Sequence, residues 1–147
     1  MALNMIKLSV GAESLDDLAQ WQAERAADRR RLGQDPRPRH TTRMWPKRAE
    51  EILDGGSLYW VIRGAVLARQ RIEDLQEVIR EDGIRRCDLV LSPEIIQVEA
   101  RAKRPFQGWR YLTVEDAPPD VRAGRAGDMT LPPALAIALD TLGVVAR

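Results

Sequence analysis

Sulfur and imidazole are nearly missing from this chain. Its 147 residues include one cysteine, Cys87, and one histidine, His40. A single cysteine excludes an internal disulfide framework and any site built on several thiolates, and it fits a reducing compartment. A single histidine argues against structural zinc and His-based metal centres. No apolar run approaches the ~20 residues that a membrane-spanning helix needs. The N-terminal MALNMIKLSV lacks the basic start, long apolar stretch and cleavage site of a secretion signal. Glycine-rich phosphate loops and dinucleotide fingerprints are also absent. The sequence GGSLY at 55–59 lacks the G-x-S-x-G elbow of serine hydrolases and leads from helix to strand rather than the reverse. These absences lead us to expect a cytoplasmic protein with no metal, no cofactor and no membrane partner.

The composition that remains is that of a globular chain, 44% hydrophobic and 31% charged, of a length that suits one domain over residues 1–147. NMIKLSVG (4–11) reads as a first strand. SLDDLAQWQAERAADRRRLG (14–33) reads as a surface helix, with Ser14 as cap, acids in the first turn, arginines in the last and Gly33 to close it. Residues 33–40 read as loop. Pro46 suits the first turn of a second helix that runs to about Asp54 and stops at Gly55-Gly56.

SLYWVIRG and AVLARQRIE follow as two strands around a two-residue II′ turn at Gly64-Ala65. That register sets Trp60 opposite Arg69 and Leu58 opposite Arg71. LQEVIRE and IRRCDLVLS form a further hairpin on Asp82-Gly83, with a helix over 74–82 as the alternative. Strands are expected over 94–102 and 108–114, then a loop over 115–128 and an apolar helix over 132–143. The expected fold class is α+β: a small, mostly antiparallel, partly closed β-barrel with about three flanking helices.

The near-zero net charge hides a partition. Residues 37–48, 63–71 and 101–110 contain no acid yet carry 12 of the 23 basic residues. Residues 72–100 carry eight acids against three bases. Six of the seven aromatic residues lie between 45 and 111, in or beside the basic segments. Positive charge next to flat rings suits a polyanion whose bases stack. In the expected register Trp60 lies beside Arg69, a cation–π geometry. Cys87 reads as a small buried hydrophobe. His40 and Thr41 would point to opposite faces of an extended segment, which separates a base from a hydroxyl.

The strings TRMWPKRAEE, GGSLYWVI and FQGWRYL, with RQRI and RRCDLVL, resemble an uncharacterised bacterial domain-of-unknown-function family over nearly the whole chain. That resemblance implies no activity. More distantly, WPKRAEEILDGGSLYWVIRGAVLARQRI resembles PUA-like domains of the ASCH type, in which a short helix ending in glycine enters a hairpin of a small barrel. The likeness implies binding of RNA or modified bases. Some ASCH members look like small amidohydrolases using Lys, Thr and Glu. Lys47, Thr41 or Thr42, and Glu50 or Glu73 are available here, although their spacing and order do not match.

The function expected is a non-enzymatic nucleic-acid-binding module, RNA rather than DNA because exposed rings favour unstacked bases. Arg43, Lys47, Arg48, Arg69, Arg71, Arg104 and Arg110 are the basic contacts, with Trp45, Trp60 and Trp109 as stacking platforms. A small amidohydrolase-like enzyme acting on a modified nucleoside and a protein-interaction domain are the alternatives.

Overall fold

The computed structural model describes residues 2–9 and 11–121. The chain starts with strand β1 (Asn4–Leu8) and enters helix α1 (Leu15–Arg31). Ser14 caps this helix by accepting the Asp17 amide at 3.1 Å, and the Asp17 carboxylate accepts the Glu13 amide in return at 3.1 Å. At the other end Gly33 N–H bonds to Arg30 O and Gln34 N–H to Arg29 O, the Schellman pairing. Only Leu15 and Leu18 of α1 are fully buried, so it lies on the surface of the domain as its thin apolar stripe foretells.

Strand β2 (Arg39–Thr42) follows, where a loop running to His40 was expected. Helix α2 (Ala49–Leu53) is short and delivers β3 (Ser57–Ile62), all six of whose residues are buried. Strand β4 (Ala65–Ile79) is a single 15-residue strand where the sequence suggested two. Its first half pairs with β3 on one edge and with β6 (Ile96–Ala102) on the other. Its second half pairs with β5 (Arg85–Leu91). A register shift between Ile72 and Asp74 lets one strand serve both halves without a turn. The β4–β5 hairpin forms as expected, but over a five-residue loop whose turn runs from Arg80 to Gly83, closed by Gly83 N–H to Arg80 O at 2.9 Å, and no helix forms over 74–79. Strand β7 (Trp109–Leu112) completes the described chain.

The sheet is mixed. Its order is β2-β5-β4-β3-β1-β7, with β6 also on β4, and β1 with β3 is its only parallel pair among the described residues. It is therefore open, and the expected barrel is not closed. After Thr42 the chain leaves the sheet, and no ladder joins the short end strands β2 and β7. Segment 43–48 spans the seam instead. Trp109 donates its indole N–H to Met44 O at 3.3 Å, and Arg48 N–H donates to the Tyr111 hydroxyl at 3.1 Å. The described residues contain two helices, and the expected helix over 132–143 lies outside them.

The hairpin between β3 and β4 differs from expectation in a way that decides the faces. Its turn is Arg63-Gly64, with φ of 50° and 82°, the two positive angles of a type I′ turn. With a bulge at Leu67, Trp60 pairs with Ala68 and Tyr59 with Arg69. The expected II′ register would have set Arg69 and Arg71 against Trp60 and Leu58 on the face that packs under α1. Burying two guanidinium groups there without partners is far costlier than one arginine at positive φ.

That inner face holds the main core, with Met5, Leu15, Ile52, Leu58, Trp60 and Leu89 among its members. A smaller core on the other face gathers Ile6, Tyr59, Val61, Val66, Val98 and Phe106. Gln70 is wholly inside the main core and fully bonded. It accepts Trp60 Nε1–H at 2.9 Å, exchanges amide bonds with Gln22 of α1 at 2.7 Å each way, and donates to Ser92 O at 2.9 Å.

Two outcomes follow for stability. Gln70→Leu strands the Trp60 N–H and the Ser92 carbonyl, each costing about 1–3 kcal/mol, and it should lower the denaturation midpoint well beyond the half-exposed Gln22→Leu. Gly56→Ala places a Cβ 2.1 Å from Leu3 O and 2.6 Å from Ile52 O, both backbone atoms. It should cost at least the ~3 kcal/mol upper end of ordinary overpacking. Urea titrations followed by circular dichroism measure both, and a wild-type midpoint in either variant contradicts this packing.

Candidate nucleic-acid interface

Strand β7 alternates, so Trp109 and Tyr111 share the inner face while Arg110 points to the other. Trp109 and Tyr111 meet edge to face with centroids 4.9 Å apart. The segment crossing the seam lies against them. Arg48 stands 5.6 Å from the Tyr111 ring and is held in a two-pronged bond by Glu51 at 2.6 and 2.7 Å. That contact raises the Arg48 pKa and lowers that of Glu51. Three residues before Arg48, Trp45 is half-buried with the Arg85 guanidinium 4.9 Å from its ring centre. Arg43 and Lys47 are exposed and form no ion pair among the described residues. The seam thus gathers Arg43, Trp45, Lys47, Arg48 and Trp109 of the expected residues, and adds Tyr111 and Arg85.

The other five expected residues lie elsewhere. Trp60 is 4% exposed inside the core, which corrects its reading as a stacking platform beside Arg69. Its ring is covered by His40, edge to face at 5.3 Å. Arg69 is on the opposite face, bound through Nε and Nη2 to both Asp120 oxygens at 2.7 and 2.8 Å and through Nη1 to Ser57 Oγ at 2.8 Å. It lines a half-polar pocket of about 420 Å³ with Asn4, Ser57, Tyr59 and Asp120. Burial raises the Tyr59 pKa there, against the pull of Arg69. Arg71 is exposed on the Arg69 face, and Arg104 is exposed in the connection between β6 and β7. Arg110 stands 5.0 Å from the Phe106 ring, on the face of β7 away from Trp109.

The charge partition seen along the chain is largely undone in space. β2 pairs with β5, so an acid-free segment lies against the acid-rich one. Arg37 bonds to Asp35 and Glu73, and Arg39 contacts Asp35, Asp88 and the Gln76 amide oxygen. Contact with Arg37 holds Asp35 down at about 2. Arg63 lies 3.8 Å from Glu13. The cations left without acids in the expected set are Arg43, Lys47, Arg71, Arg104 and Arg110, as far as the described residues go.

A Lys–Thr–Glu constellation is not assembled. The Thr41 hydroxyl bonds to Asp88, the buried Thr42 hydroxyl to Met44 O, and Glu73 to Arg37, while Lys47 and Glu50 stand in solvent. Cys87 is buried, and its thiol is pushed up to about 11 by burial, so it is an inert core group. Among the described residues no cluster of three His, Cys, Asp or Glu side chains could hold a metal ion, and no helix is long and apolar enough to cross a membrane.

Searches of curated proteins and of solved structures found no match. The family whose sequence model matches is described as a protein of unknown function, DUF1489, and the match spans residues 5–145. The chain belongs to the DUF1489 family.

Proposed function

We propose that this protein binds single-stranded RNA at the seam between β2 and β7. One observation carries the reading: Trp109 and Tyr111, packed edge to face, are hydrogen-bonded to segment 43–48, which carries Trp45 and also Arg43 and Lys47, both without acid partners among the described residues. Uncommitted cations attract phosphate, and half-buried rings offer a face to a base at little cost in side-chain ordering. Tyr111 and Arg48 are locked together by the Arg48 N–H bond and the Glu51 clamp, so the platform is formed before any ligand arrives. Unstacked bases favour a single strand over a duplex, and RNA loops and ends present them most readily. Kinship with PUA-like domains belongs to the same reading. The order of short helix, Gly55-Gly56 and hairpin supports it, and the open sheet departs from it.

Fluorescence anisotropy with a short labelled RNA at two salt concentrations tests the proposal. Trp45→Ala and Trp109→Ala should each weaken binding by roughly 5- to 150-fold, the equivalent of about 1–3 kcal/mol per stacked base. Arg43→Ala with Lys47→Ala should flatten the log K against log salt slope by about 1.4, at ~0.7 per phosphate contact on a single strand. Arg69→Ala serves as a contrast: it frees Asp120 and should lower stability while leaving affinity unchanged. Binding without salt dependence, or indifferent to both tryptophans, would end this reading.

A further inference from the structure

Helix α1 buries Leu15 and Leu18 on the sheet, and beside them it forms a groove with two neighbouring connections. Ala19 and Ala23 of α1, Pro36 and Pro38 of the connection to β2, and Pro93 and Ile95 of the connection from β5 to β6 line it. The groove is open, mostly apolar and about 400 Å³ in volume. Apolar hollows of ~300–1,000 Å³ are the ordinary size of a binding groove. Nothing described above covers this one.

The described chain ends on a course toward it. After β7, residues 119–121 run antiparallel to β6. Glu99 N–H donates to Pro119 O at 2.9 Å, Asp120 bridges to Val98, and Val121 N–H donates to Gln97 O at 2.9 Å. That course leads toward Ile96 and then Ile95, which lines the groove. Gln97 and Ile95 are about 7 Å apart along a strand. Residues 122–130 follow, and nine residues span up to ~30 Å. That exceeds the ~25 Å length of the 17-residue α1, so the whole groove is within their reach.

The sequence beyond this tether has the chemistry that the groove calls for. LPPALAIALDTL (131–142) carries one charge, Asp140, in twelve residues. Its aliphatic side chains gain free energy by leaving water. The groove offers the acid a counter-ion as well: Arg30 lines it, exposed and with no acid partner among the described residues. We infer that residues 131–142 of the same chain dock in this groove and cover its alanines and prolines. A short tether holds such a segment at an effective concentration in the millimolar range, so it displaces the same segment of another copy at ordinary protein concentrations. Docking gives α1 a second apolar contact beyond Leu15 and Leu18, and ties the last part of the chain to its first helix.

Cysteine pairs in the full chain test this. Cys87 is buried and its thiol inert, so introduced cysteines report alone. Ala23→Cys is combined in turn with Ala134→Cys, Ala136→Cys and Ala138→Cys, and each pair is treated with a short bismaleimide. Denaturing gels and mass spectrometry tell a bridge within one chain from a bridge between two. The control replaces Ala23→Cys by Asp28→Cys, an exposed position about 140° around the helix. Bridges within single chains are expected, formed roughly tenfold faster from Ala23→Cys than from Asp28→Cys. Leu135→Asp with Ile137→Asp should remove that preference and raise the fluorescence of a dye that binds open apolar grooves. Bridges between chains would give the groove to a second copy. Equal rates from Ala23→Cys and Asp28→Cys would leave the segment undocked. Either result overturns the inference, and neither depends on RNA binding or on the aspartate variants.

Discussion

The Gln70 amide holds the two layers of this domain in one position. Apolar contacts between α1 and the sheet are non-directional and would tolerate sliding. The four hydrogen bonds of Gln70, to Gln22, Trp60 and Ser92, do not. They fix the rotation of α1, the depth of the Trp60 ring and the return of the chain after β5. A shift of the helix by one turn would break the two Gln22–Gln70 amide bonds, while those of Gln70 to Trp60 and Ser92 would hold. Such a fully satisfied buried network rewards one arrangement over its neighbours more sharply than apolar packing does. The position of α1 in turn sets the groove beside it and the outward course of segment 33–38.

Much of the fold could be read from the sequence where the signal is local. Ser14 with Asp17, and the Arg-Leu-Gly close of α1, are end signals that act within one turn, and both are present. Asp82-Gly83 marks its hairpin for the same reason. What escaped is set by pairing. RHTT has no strong strand pattern and becomes β2 because β5 needs an edge partner. The run from Ala65 to Ile79 looked like two strands because Arg69, Arg71, Glu73 and Asp74 interrupt its apolar pattern. A register shift near Glu73 absorbs the interruption without a turn.

The candidate site was half legible. Trp45, Lys47 and Arg48 are neighbours in sequence and remain so in space. Trp109 joins them through Met44, and Tyr111 was readable from its period-two spacing to Trp109. Arg85 was not readable, since it reaches Trp45 only through the β2–β5 pairing, whose register runs from Thr42 opposite Cys87 towards it. The parity of the β3–β4 hairpin was misplaced by one residue, and that slip is enough to put Trp60 in the core and Arg69 and Arg71 on the opposite face. Turn propensity favoured Gly first. Core desolvation overruled it, at the expense of one arginine at positive φ.

Strand β4 also governs how the domain comes apart. Its 15 residues form an edge of both hairpins and carry β6 as well, so no half of the sheet owns a complete set of strands. Loss of one hairpin strips partners from the strand that the other half needs. Such a shared element joins opening events that separate strands would allow one at a time. The parallel pair of β1 and β3 matches residues 53 apart in sequence, Met5 with Leu58, whereas both hairpins close over a few residues. By the cost of loop closure, the hairpins on β4 form first and the N-terminal strand docks onto a finished template. Slow exchange should therefore be concentrated in the middle of β4, and the seam at β2 and β7 should open earliest.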